Sequence, residues 1–95
     1  MTREFVRRCV YDQLLEAQAC SGRPIPALND DTRPIGDIDG FDSPLAEDVT
    51  ALILADIGAP ANTKCPFTER LDGRCLSIRS VVDRLCTAAN VQEDT

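Results

Sequence analysis

Residues 23–42 carry Pro24, Pro26, Pro34, Gly36 and Gly40, and this stretch limits the fold more than any other part of the chain. Prolines remove backbone donors and glycines favour turns, so a long helix cannot run through it, and the chain is divided into separate helix-length segments. Ile25, Leu28, Ile35, Ile38 and Phe41 are spaced along it as anchors onto a core. The stretch therefore reads as an ordered loop with a turn of helix near residues 28–31. Long loops inside compact domains are usually functional or disordered, and the spaced anchors favour order.

On either side the apolar residues follow a helical period. Residues 3–20 form a first helix with Phe5, Val6, Cys9, Val10, Ala17 and Cys20 on one side, and Ser21-Gly22-Arg23-Pro24 ends it. A second helix spans 44–57. Ser43 is placed to cap it and Pro44 to occupy its first turn, with Leu45, Val49, Leu52 and Ile53 on one face. Gly58 and Pro60 stop it, and Asp56, on the apolar side, is expected to turn its last residues outward. Glu47, Asp48, Ala51, Leu54 and Ala55 form the opposite face, which is acidic with an apolar centre.

Residues 65–70 suit a short turn or irregular helix, and Asp72-Gly73 a tight turn. After a cap at Ser77, the residues Ile78, Val81, Val82, Leu85 and Ala89 recur at helical spacing, while Arg79, Asp83 and Arg84 face water. The polar tail, 90–95, is expected to fray. Aromatic residues make up 4% of the 95 positions and strand-like alternation is hard to find. The expectation is one small all-α domain, 1–95, with a modest core.

No apolar run is long enough to span a bilayer, and charges interrupt the N-terminal apolar positions, so a cytoplasmic, soluble protein is expected. The five cysteines are an odd number with no close pair, which favours reduced thiols. There is no histidine and no Cys-x-x-Cys, so a metal site would need thiolates from distant positions. Cys9, Cys20 and Cys86 read instead as small hydrophobes on helix faces. Without histidine, Ser-His and Cys-His nucleophilic pairs are excluded. No glycine-rich phosphate loop precedes a helix, and no carboxylate pair is set for acid–base work. A protein that is not itself an enzyme follows. Asp37-Ile38-Asp39-Gly40-Phe41-Asp42 has the alternating acids of a calcium loop, but Phe41 falls where a ligand is needed and Asp42 where the turn glycine belongs.

The formal charge is −6, and its distribution is uneven. Residues 30–56 hold eight acids against the single base Arg33, while the remainder has eight acids and nine bases. Such a field attracts basic partners and repels nucleic acid, although a charge run of this kind also serves as a merely solvated loop. Ser43 lies inside it, at a helix start. Its hydroxyl has two readings: a structural cap, or the attachment point of a phosphate-linked group favoured by the helix dipole.

At Gly40-Phe41-Asp42-Ser43, followed by Leu45, Ala46, Asp48, Val49 and Thr50, the chain resembles the acyl carrier proteins. The order of elements agrees: a first helix, a long loop, the Asp-Ser helix, a shorter third segment, and a fourth helix introduced by Gly73-Arg74-Cys75-Leu76-Ser77-Ile78. The resemblance implies a four-helix bundle of acyl-carrier type with a long loop between helices 1 and 2. It implies 4′-phosphopantetheine on Ser43, placed there by a phosphopantetheinyl transferase, with acyl groups carried as thioesters in fatty-acid or polyketide synthesis. It also implies a monomer whose Asp42, Glu47, Asp48, Ala51 and Leu54 meet basic docking surfaces on acyl-loading and acyl-transferring enzymes, with no membrane partner. Two positions depart from the family pattern. Pro44 stands where an apolar residue, commonly leucine, follows the serine, and Glu47 stands where an apolar residue is frequent. The alternative is a carrier-like interaction module that is not modified.

Overall fold

The computed structural model describes residues 1–24, 27–69 and 74–91. It is helical: α1 (Arg3–Ser21), α2 (Pro34–Asp37), α3 (Ser43–Ile57) and α4 (Ile78–Ala88). Among the described residues the only β pairings are two isolated bridges, Ile35 with Ile38 and Thr68 with Cys75. α1 packs against both α3 and α4, so it is the element on which the other two long helices rest.

α1 starts where Thr2, in extended conformation, accepts the Phe5 N–H through its hydroxyl at 3.2 Å. It ends at Gly22, whose φ of 74° is the left-handed conformation a glycine adopts without side-chain strain. Val6, Val10, Leu14 and Gln18 are its buried residues, a stripe repeating every four positions. This corrects the expected face. Leu14 belongs to the core, while Phe5 and Cys20 are exposed and Cys9 and Ala17 are only half-buried. The stripe drifts round the helix, so a face drawn from 5, 6, 9 and 10 does not extend to 20.

α3 is likewise rotated relative to expectation. Its buried residues are Ala46, Val49, Thr50, Ile53, Leu54 and Ile57, and Leu52 is 54% exposed. Small Ala46 and polar Thr50 line the seam, which hid it from a reading based on large apolar residues. Asp56 does not unwind the last turn. It is exposed, accepts a hydrogen bond from Gln13 Nε2 of α1 at 3.1 Å, and leaves the helix intact up to the left-handed Gly58.

α4 follows the sequence reading closely. Ser77 caps it by accepting the Ser80 N–H, and Ile78, Val81, Val82 and Leu85 are buried together with Cys86. Its end is ordered by Asn90 at φ 56°, where Asn90 N–H donates to Thr87 and Val91 N–H reaches back to Cys86. These paired bonds satisfy carbonyls left over at a helix terminus. Residues 90 and 91 thus close the helix rather than fray, and Val91 packs on the core; the rest of the expected tail lies outside the described residues.

The loop between α1 and α3 is tied down at several points. Helical hydrogen bonding occurs at Pro34–Asp37, with non-helical angles at Ile35 and Gly36, whereas Asn29–Thr32 is a hydrogen-bonded turn and not the helical turn expected near 28–31. Thr32 and Asp30 carbonyls accept the Ile78 and Arg79 N–H groups at 2.8 and 2.9 Å. The loop so satisfies donors that the first turn of α4 leaves without helical partners. Asp31 also pairs with Arg79 at 2.6 Å. Ile38 and Phe41 are buried and Leu28 and Ile35 half-buried, as anchors should be; Ile25 lies outside the described residues.

Between α3 and α4 no helix forms among the described residues. Pro66 and Phe67 are buried, and Glu69 N–H to Arg74 and Leu76 N–H to Phe67 pair two extended pieces around the Thr68·Cys75 bridge. Of the short turn or irregular helix expected at 65–70, the turn is what forms, at residues 66 and 67; residue 70 lies outside the described residues. The tight turn expected at Asp72-Gly73 lies outside the described residues.

Candidate functional site

The start of α3 is fixed from beneath. Gln18, 2% exposed, donates its Nε2 hydrogens to the carbonyls of Pro24 at 3.3 Å and Asp39 at 3.1 Å, joining the two ends of the long loop. A buried amide costs free energy unless its polar atoms are bonded, and here two backbone acceptors meet it. Gly40 follows at φ 77°, and the Phe41 ring enters the core. The chain then emerges at Asp42 and Ser43, both exposed.

The cap is Asp42, not Ser43. Asp42 is extended (φ −113°, ψ 179°), its Oδ1 accepts the Leu45 N–H at 3.1 Å, and its carbonyl accepts the Ala46 N–H at 2.8 Å. Aspartate is as good a cap as serine and adds a negative charge at the positive helix end. Ser43 becomes the first helical residue, and its hydroxyl makes no hydrogen bond among the described residues. Pro44 sits in the first turn, as expected.

Most of the acidic field is consumed locally. Asp30 accepts from Arg7 at 2.9 Å and from the Tyr11 hydroxyl at 2.8 Å; Asp31 pairs with Arg79; Asp37 accepts the Arg33 N–H at 2.8 Å; Asp42 caps α3; Asp56 meets Gln13. The Tyr11 hydroxyl, and after it Arg7, holds the Asp30 carboxyl below its ordinary range. Glu47 and Asp48, by contrast, are exposed and make no ion pair among the described residues. The free negative charge of this region is thus concentrated on the first two turns of α3, behind Ser43.

Of the residues expected on that surface, Asp42, Glu47, Asp48 and Ala51 are exposed. Leu54 is not on the outer face: at 3% exposure it belongs to the core, and Leu52, one turn after Asp48, is the exposed leucine. Leu54 also forms part of a cleft of about 490 Å³ between α3 and the segment that follows it. Glu47, Thr50 and Ala51 line the α3 side, and Lys64, Cys65 and Thr68 the other. Residues 43, 47, 51 and 54 recur at helical intervals, so the cleft continues the face that Ser43 begins. The Thr50 hydroxyl donates to the Ala46 carbonyl at 2.6 Å and lies 3.6 Å from Cys65 Sγ. Sequence reasoning missed the cleft because Ala61–Thr68 has no periodic pattern to place it against a helix.

The cysteines divide by environment. Cys86 is buried, Cys9, Cys65 and Cys75 are half-buried, and Cys20 is exposed rather than on an apolar face; none of the five is in a disulfide. Burial, with Asp56 and Asp12 nearby, pushes the Cys9 thiol up. Among the described residues no three potential metal ligands come together, and no helix is long and apolar enough to cross a membrane. Comparison with protein-family models, with curated proteins and with solved structures finds no match.

Proposed function

We propose that this chain is a carrier of the acyl-carrier type, acting in the cytoplasm, in which Ser43 bears 4′-phosphopantetheine and acyl groups ride on its thiol as thioesters. The observation that carries the reading is the division of labour at the start of α3. Asp42 supplies the cap, which leaves the exposed Ser43 hydroxyl uncommitted at the head of a 15-residue helix. A serine needed only for capping would be spent on a backbone N–H.

In this reading α1, α3 and α4 are the long helices of an acyl-carrier bundle, and residues 59–69 take the place of its shorter third helix. Glu47 and Asp48, with Ala51 and Leu52 one turn further along α3, form the surface offered to basic partner enzymes, first among them the phosphopantetheinyl transferase. Unpaired exposed charge of one sign accelerates encounter with a complementary surface. The chemistry belongs to those partners, and the carrier supplies the tether.

Incubation with coenzyme A and a broad-specificity phosphopantetheinyl transferase, followed by intact mass measurement, tests the reading. The expected result is one phosphopantetheine adduct, abolished in Ser43→Ala. A second reading, an unmodified interaction module, is favoured by Pro44, which stiffens the residue after the serine and departs from the family pattern. It prevails if the chain gains no mass while a standard carrier is modified alongside.

A further inference from the structure

The start of α3 is poor in donors for an anion. Pro44 has no N–H and the Leu45 N–H is bonded to Asp42, so of the first three α3 residues only Ser43 has an uncommitted backbone N–H. Asp42 itself carries negative charge. A phosphodiester on Ser43 therefore needs a cation from elsewhere, and the fold delivers one.

The Gln18 clamp draws the Pro24 backbone against Asp39, and with it the preceding residue, Arg23. The Arg23 guanidinium lies over Gly40, in space that a Cβ at that position would contest, so a side chain there would push the guanidinium aside. Arg23 is 46% exposed, and its contact with the exposed Asp39 carboxylate is long, 3.9 Å from Nε. Among the described residues it is the one ion pair that the Arg23 guanidinium makes. Gly40 precedes Ser43 by three residues, a separation of at most about 10 Å between Cα atoms. The flexible arginine side chain and the length of a phosphodiester cover that distance together. A planar guanidinium offers two parallel N–H groups to two phosphate oxygens.

Building on the modification of Ser43, we propose that Arg23 is the phosphate-binding residue of this site, donating to the non-bridging oxygens of the phosphodiester on Ser43. Gly40 is the space that admits the guanidinium, and Gln18 is the positioning residue that brings it there.

The test uses the full chain as wild type, Arg23→Ala, Arg23→Gln and Arg23→Lys, each unmodified and after treatment with coenzyme A and the transferase. Intact mass scores modification, and the melting temperature is taken for both forms. The shift on modification should be several degrees more favourable in wild type than in Arg23→Ala, with Arg23→Lys between them and the gap closing at high salt. The unmodified variants remove any structural contribution of Arg23 from that comparison, and Arg23→Gln replaces the alanine variant if that one does not fold. Equal shifts in wild type and in the charge-removing variants, with all gaining mass, overturn the role of Arg23 and leave the carrier reading standing. No mass gain in wild type overturns the carrier reading and this assignment with it.

Discussion

The rings of Phe41 and Phe67 meet edge to face, with centroids 5.4 Å apart and planes at 61°. Phe41 closes the long loop two residues before Ser43, and Phe67 comes from the irregular segment after α3. Their contact therefore pins both flanks of the candidate site to one core, and such pairs add stability beyond the area they bury. Phe67 is fully buried, so Phe67→Ala should cost about 3–5 kcal/mol in urea unfolding and Phe67→Leu clearly less. A loss below about 1 kcal/mol for the alanine variant would remove Phe67 from the core.

Asp42 and Ser43 are adjacent, and the structure assigns them opposite stability roles. Asp42→Ala removes the acceptor of the Leu45 N–H and a charge that suits the helix start, and should cost about 0.5–2 kcal/mol. Ser43→Ala removes an exposed hydroxyl with no bond and should stay within about 0.5 kcal/mol. Chemical denaturation of the two variants decides between them. The reverse order would return the cap to Ser43 and weaken the case that its hydroxyl is reserved for attachment.

These roles also show what was legible in the sequence and what was not. α4 was readable because Ile78, Val81, Val82 and Leu85 are large, apolar and regularly spaced, and Ser77 is a strong cap. The boundaries of α1 and α3 were readable from Gly22 and Gly58. The faces were not, because Gln18 and Thr50 occupy core positions by virtue of bonds to backbone carbonyls, which a hydropathy pattern cannot anticipate. The sequence reading puts the cap at Ser43, whereas the structure uses Asp42, an equally good cap one position earlier. The pairing of Thr68 with Cys75 and the placing of Arg23 over Gly40 depend on tertiary contacts, and local sequence carries no trace of them.

Gln18 is the buried residue whose loss should be felt at the site. Gln18→Leu keeps the volume but leaves the Pro24 and Asp39 carbonyls without their donor, at a cost of about 1–3 kcal/mol if they remain buried. Amide hydrogen exchange should rise around residues 38–41 in this variant. Unchanged protection there, together with unchanged stability, would mean that the clamp does not hold the loop.

Thiol reactivity should follow the environments of the cysteines. Cys20 is exposed and should react first with a disulfide reagent, whereas buried Cys86 should react only on unfolding. Cys9 is half-buried and its thiol is pushed up, first by burial and then by Asp56 and Asp12, which lowers its thiolate fraction at neutral pH. Mass mapping of the labelled sites should show Cys20→Ser abolishing the fastest phase. A fast phase surviving that substitution would contradict the burial pattern.

The Tyr11–Asp30–Arg7 cluster gives the fold a pH dependence of defined sign. The Asp30 carboxyl lies below its ordinary 3.8, first because the Tyr11 hydroxyl donates to it and then because Arg7 does. A depressed carboxyl binds protons less readily in the folded state than in the unfolded one. Its contribution is therefore fully present above the unfolded value and is lost as pH falls through the lower folded one. The stability difference between wild type and Asp30→Asn should be constant above about pH 5 and shrink below about pH 4. Tyr11 is the counterpart with opposite sign. Burial first, and then the bond to Asp30, raises its hydroxyl above the ordinary 10.0, so its contribution is held below that value and lost as pH rises beyond it. Tyr11→Phe removes the hydroxyl that donates to Asp30, and should flatten both limbs of the wild-type profile measured by urea unfolding. Because Asp30 is near the surface, the acid limb should weaken in high salt. A profile that is the same in wild type and Tyr11→Phe would show that the hydroxyl has no part in holding the loop to α1.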